Sequence, residues 1–241
     1  MLVIYCELSL GVSVFPCRIS IIFIIFLSDS LLKPPIAVRI FFLTILCLCA
    51  SLAYSEDSLY IKVHFLYGST PSQKYKSKEK KWFGGILGGH VGIEGDSGRV
   101  LNFVSGGHCH LFAGKTNRSS AFEEFPEGRF YGIFGGVPDS MKKTIVYIPV
   151  TRQQKQIFDS IALAYLKKTP YDYAVFGMRC GAAAYDILGQ LHIFPHYNHT
   201  KTYKKIFYPK LLRKRLLKKA DENGWAVVRQ NGSGRRVWEK D

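Results

Sequence analysis

The chain has 241 residues, 47% of them hydrophobic and 21% charged, with 33 Lys and Arg against 18 Asp and Glu. That apolar content supports a folded core and excludes an intrinsically disordered chain. The formal charge of +15 points either to an anionic neighbour or to a basic, solvated surface.

In chain order, residues 1–54 read as a signal peptide or N-terminal hydrophobic segment. Two apolar runs, 21–27 and 40–53, are separated by Pro34 and Pro35. Neither reaches the roughly 18 to 20 residues that a membrane-spanning helix requires. Lys33 and Arg39 give the second run a positive flank, and residues 50–53 are small enough for cleavage. The mature chain is expected to begin near Tyr54 or Ser55, with residues 1–30 lying ahead of the true start; the competing reading is a retained membrane anchor. Cys47 and Cys49 are not preceded by the small residue of a lipoprotein box, so lipidation is not expected. Beyond Ala53 the cysteines are Cys109 and Cys180. Export would permit a bridge between them, so a reactive Cys180 requires both to be free.

Residues 59–67, LYIKVHFLY, alternate as a strand, followed by a Lys-rich loop over 68–81. Residues 90–94 and 99–104 flank Gly95, Asp96, Ser97 and Gly98 and predict a hairpin. Residues 106–136 are rich in Gly and aromatics and take no assignment. Residues 144–150 predict a strand, and Thr151 caps a helix to about Lys167 with Ile157, Ile161, Leu163 and Ala164 on its apolar side. A further helix opens near Cys180. Residues 201–219 interleave cations with Tyr, Phe and Leu, which suits an interfacial helix docking on an anionic surface through Leu211, Leu212, Leu216 and Leu217. The alternative is a solvated helix packed on the core by those leucines. No nucleic-acid motif accompanies the run, and no nucleic acid is expected as partner. Residues 225–240 read as a terminal hairpin about residues 231–234.

The chemistry suggested is nucleophilic. A cysteine at a helix N-terminus has its thiolate favoured by the positive end of the helix, and its own amide is free to bind an oxyanion. His90, on a strand, can take the thiol proton, and Asn102, twelve positions on across a tight hairpin, can orient the ring without carrying charge. The plain reading is that Cys180 is an inert buried side chain and His90 a satisfied core group. His108, Cys109 and His110, with His192, His196 and His199, fit no standard zinc spacing, so neither metal nor cofactor is expected.

The segments GGHVGIEGDSGRVLNF and TPYDYAVFGMRCGAAAYDIL resemble the two signature segments of the circularly permuted NlpC-like papain enzymes, the branch holding lecithin retinol acyltransferase and YiiX-type proteins. The likeness spans roughly residues 59–191. It implies an α+β fold, a papain-like antiparallel sheet packed against helices, with the nucleophile at a helix N-terminus. By resemblance His90 falls on the family's histidine, Asn102 on its third polar position and Cys180 on its nucleophile. Tyr171, Tyr173 and Arg179 become substrate or oxyanion candidates. Arg179 stands where Asn or Tyr is more usual, and Asn102 where His or Glu is commoner.

The expected organisation is therefore residues 1–54 as the exported or hydrophobic segment, 55–200 as a permuted papain-like catalytic domain, and 201–241 as a basic helix and hairpin extension. The expected function is an exported cysteine hydrolase or acyltransferase, periplasmic or extracellular. It would cleave an amide or ester in a peptidoglycan fragment or an acyl lipid, with an anionic membrane surface as a candidate partner of the basic segment. The alternative is a non-catalytic envelope-binding protein on the same scaffold.

Overall fold

A computed structural model describes residues 59–79, 89–95, 98–107, 110–114, 117, 120–135 and 140–241. All of them fall in the compact unit Asp57–Asp241. The signal-peptide and anchor readings, the Gly-rich stretch 84–88, and His108 and Cys109 lie outside the described residues.

The strands are β1 (Tyr60–Leu66), β2 (Ser69–Pro71), β3 (His90–Glu94), β4 (Arg99–Ser105), β5 (His110–Phe112), β6 (Ser120–Pro126), β7 (Lys143–Pro149), β8 (Ala174–Phe176), β9 (Val227–Gln230) and β10 (Arg236–Trp238). The helices are α1 (Glu127–Gly135), α2 (Arg152–Lys167), α3 (Cys180–Gln190), α4 (His199–Lys205) and α5 (Pro209–Asn223). Six strands form one sheet in the order β6-β4-β3-β1-β7-β9, antiparallel throughout. The fold is therefore mixed α+β. No helix among the described residues is long and apolar enough to cross a membrane.

Strand alternation divides the sheet into two faces. Ile61, Val63, Phe65, Val91, Ile93, Leu101 and Phe103 point to one, where α3 and α5 supply Ala182, Leu188, Leu212 and Leu216. Leu66 and Val100 point to the other, where α1 supplies Phe130 and Tyr131. Helix α3 is buried from Cys180 to Gly189. Its sequence CGAAAYDILG is mostly apolar and small at the start, so it can sit close to the sheet, with the buried Asp186 carboxylate satisfied by Tyr165, Gln190 and His196.

Several expectations need correction. The unassigned stretch 106–136 holds β5, β6 and α1. In α2, Thr151 closes the expected cap with Gln154, yet Leu163 is 71% exposed and Ala164 faces solvent. The inward stripe is Phe158, Ile161 and Ala162, an i, i+3, i+4 set that leaves residues 163 and 164 a step outside it. The terminal hairpin does not form: β9 joins β7 and β10 joins β2. The Trp238 ring occupies the space a side chain at Gly232 would need, and its Nε1–H donates to the Ser233 carbonyl at 2.9 Å. The intervening loop thus folds onto Trp238 instead of closing a ladder. Finally, Leu212 and Leu216 of the basic run are fully buried, so they hold α5 to the core and are not free to insert elsewhere. Residues 201–241 share the core with the rest of the unit instead of standing as an extension.

Candidate functional site

Helix α3 begins at Cys180, with Arg179 at the capping position in an extended conformation and no side-chain cap. The first amides of the helix are consequently without intrahelical partners. The Cys180 thiol is 5% exposed. Burial pushes its pKa up, opposed in decreasing order by the Val91 backbone, the Arg179 charge, the Gly181 backbone and the Tyr173 hydroxyl; the balance remains raised. The Val91 and Gly181 backbones and the Arg179 charge all act to favour the thiolate, and burial outweighs them. The β3–β4 register begins at Gly92↔Asn102, so Val91, one residue ahead of it, can turn its amide to the sulfur.

Two features position this helix start. At Gly181, an added Cβ would lie 3.1 Å from Pro209 Cα, so the start of α5 packs directly on the first turn of α3. The preceding turn is pinned by Asp172, 1% exposed, whose carboxylate accepts from Gly114 N–H at 3.0 Å and from the Ser120 hydroxyl at 3.2 Å. Ser120 Oγ in turn accepts the Tyr173 N–H. Tyr173 is thereby held against the thiol.

His90 and Asn102 are brought together as the hairpin predicts, with Nε2 to Oδ1 at 3.3 Å. Asn102 Nδ2 donates to the Glu123 carbonyl at 2.9 Å, which fixes the amide so that Oδ1 faces the imidazole. A carbonyl oxygen only accepts, so Nε2 carries the hydrogen and Nδ1 is left as the basic nitrogen. Burial lowers the imidazole from 6.5 to about 4, against a raising contribution from Asn102. His90 is accordingly neutral at neutral pH. Its ring stacks on Phe134 at 3.9 Å and lies 5.8 Å from Phe130, both on α1.

That stacking decides the arrangement. His90 pairs with Leu66, and Asn102 with Gly92, so both belong to the α1 face, whereas Val91 and the α3 cluster lie on the other. The expected Cys180–His90 hydrogen bond is absent among the described residues. The thiol packs with Val91 on one face, and strand alternation sends residues 90 and 91 to opposite faces.

Of the remaining candidates, Tyr173 reaches the thiol and Tyr171 does not. The Tyr171 hydroxyl is buried with no hydrogen-bond partner, and burial raises its phenol well above the usual range, with Asp186 and Tyr165 adding to the effect. It faces the middle of α3, beside His199 at 4.7 Å between ring centroids. The Arg179 guanidinium stacks on Phe207 at 3.9 Å and on Tyr208 at 5.0 Å, and its Nη2 has no hydrogen-bond partner. Among the described residues no group of three His, Cys, Asp or Glu is arranged to hold a metal ion.

Sequence reasoning missed the backbone influence of Val91 and Gly181 on the thiol, because an amide carries no residue signature. It also missed a polar network on the α1 face. There Glu94 Oε2 meets His64 Nε2 at 2.8 Å, Glu94 Oε1 accepts from Lys62 at 2.6 Å, and His64 Nδ1 meets the Tyr131 hydroxyl at 2.6 Å. Burial works to raise the Glu94 carboxyl, but His64 and Lys62 outweigh it and leave it lowered. The alternation of Lys62 and His64 with Ile61, Val63 and Phe65 was the available signal, since it marks a strand with a polar second face. No family model, curated protein or solved structure matches this chain.

Proposed function

We propose that the chain is a cysteine hydrolase or acyltransferase with a permuted papain-like fold, working through a Cys180 thioester on an amide or ester of a cell-envelope substrate. The substrate is a peptidoglycan peptide or an acyl lipid, met after export. The observation that carries this reading is the sulfur's setting: a buried thiol on the first residue of a buried helix with no side-chain cap, where the neighbouring backbone, the Arg179 charge and Tyr173 favour the thiolate against burial. That setting favours the charge that develops on sulfur as its proton leaves, and the helix's first amide favours the charge that then forms on the carbonyl oxygen.

In the proposed sequence, Sγ attacks the carbonyl carbon while its proton passes to Nδ1 of His90. The oxyanion is held by the free amide of Cys180, and the leaving group departs with the proton from His90. Water or a second acceptor then releases the acyl group. With the thiol raised and the imidazole lowered, the resting pair is neutral, and the proton moves only as the carbonyl is attacked. Because His90 lies on the α1 face and the thiol on the α3 face, this transfer requires the imidazole to leave its stack on Phe134. The missing thiol–imidazole hydrogen bond favours the non-catalytic alternative, an envelope-binding protein, so the test must separate the two.

The experiment is acid-quenched mass spectrometry of the protein incubated with peptidoglycan stem peptides and, separately, with acyl lipids. An acyl adduct on Cys180 is expected in one of the two series, forming more slowly in His90→Ala. It is expected to be absent from Cys180→Ala, whose circular dichroism stays unchanged. No adduct in either series, with Cys180 alkylation equally fast in His90→Ala, would leave the binding protein as the function.

A further inference from the structure

We infer that the parallel pair β5–β8 and the adjoining Phe207 form a docking surface for an anionic lipid bilayer. This inference rests on surface residues and stands independently of any catalysis at Cys180.

Large apolar side chains project to solvent here from a very short sheet. Leu111 is 57% exposed, Phe112 65% and Phe176 47%. Phe112 and Phe176 sit at paired positions of β5 and β8 and stack at 5.5 Å. Phe207 continues the ledge, 6.2 Å from Phe176, and carries the Arg179 guanidinium on its face. The ledge thus runs without a break from the residue beside the thiol to the outer edge of β5. Two stacked phenyl rings held largely in water lose the apolar burial that usually justifies ordering them, which marks a contact surface.

Charge identifies the occupant. Residues 187–220 contain Lys and Arg but neither Asp nor Glu. Lys205 and Lys210 bracket Phe207 in this stretch, and Lys204 and Lys214 are exposed. An apolar aromatic strip whose Phe207 end lies in a stretch of chain carrying only cations matches the acyl boundary and headgroups of an anionic membrane, where rings insert and Lys and Arg meet lipid phosphates. A second copy of the chain fits poorly, because docking two surfaces of a protein of charge +15 brings like charges together. The docking element differs from the one the sequence suggests. The leucines Leu212 and Leu216 of the basic run are internal, and the phenylalanines of β5 and β8 take the apolar role while that run supplies charge.

The test is co-sedimentation of the purified chain with phosphatidylcholine vesicles, with and without phosphatidylglycerol. It is read as the ratio of anionic to neutral partitioning, so that any apolar contribution common to both cancels. A ratio on the order of tenfold or more is expected, falling with added salt. Phe112→Ser/Phe176→Ser is expected to abolish most anionic binding, and Lys205→Glu/Lys210→Glu to bring the ratio near one. Leu163→Ser, an equally exposed position on α2, should change neither. Circular dichroism checks that the variants remain folded. Binding that survives Phe112→Ser/Phe176→Ser, a ratio of one for the unaltered chain, or a dimer that dissolves in that variant would each overturn the inference.

Discussion

Acid should destabilise this protein in a way that His90 accounts for. The imidazole titrates at about 4 in the folded chain against a reference of 6.5, because burial beside Phe130 and Phe134 disfavours the imidazolium. A group whose folded pKa is depressed binds its proton first in the unfolded state. Stability from neutral His90 is therefore present above the reference value, is lost progressively as pH falls below it, and stops declining once pH passes below the folded value. The full loss is about 3 kcal/mol, and about 2 kcal/mol of it accrues between about pH 7 and about pH 5. Glu94 and Asp241 are also perturbed, both downward, so the wild-type curve alone does not isolate the histidine. The assay is urea unfolding of the wild type and of His90→Gln across that interval, with the gap between them taken at each pH. The gap should shrink by about 2 kcal/mol from the neutral to the acid end. An unchanged gap would refute the buried neutral imidazole, and with it the Nδ1 base that the proposed chemistry uses.

Other perturbations report on the packing that holds the site. Arg213, fully buried, donates from Nη2 to Glu239 at 3.0 Å and from Nε to Asp241 at 3.1 Å. Arg213→Met should cost about 3 to 5 kcal/mol in chemical denaturation by stranding the buried Glu239 carboxylate, with partial recovery in Arg213→Met/Glu239→Gln. Gly92→Ala would put a Cβ 2.4 Å from Val100 Cγ1 and 3.0 Å from Phe130 Cε2. It should cost about 1 to 3 kcal/mol, measured the same way, because neither neighbour has room to retreat. Leu216→Ala should lose about 2 to 5 kcal/mol, whereas Leu163→Ala should stay within about 0.5 kcal/mol, as their burial dictates. Equal losses at the two leucines would contradict the inward orientation of α5.

Much of the local structure was legible in the sequence because it is set by short-range chemistry. Alternation in YIKVHFL marked β1, the Gly95–Gly98 turn residues marked the β3–β4 hairpin, Thr151 marked the start of α2, and the helix start near Cys180 was read after the Pro170 turn. The twelve-residue spacing of His90 and Asn102 was enough to bring them into hydrogen-bond reach, since a tight hairpin fixes which residues oppose one another. What the sequence could not show was which side of the sheet each element covers. Alternation says that residues 90 and 91 face apart, but only the packing of α1 on one face and α3 on the other turns that into an imidazole stacked on Phe134 and a thiol packed with Val91 on the opposite side. The same holds for the tail. The leucines of residues 211–217 read equally well as membrane-seeking or core-seeking, and residues 225–240 read as a hairpin that the structure does not form. Partner choice in each case depends on contacts distant in sequence: the free edge of β7, the edge of β2 and the groove left by α3. Local patterning determines that a surface is apolar, and tertiary structure decides what buries it.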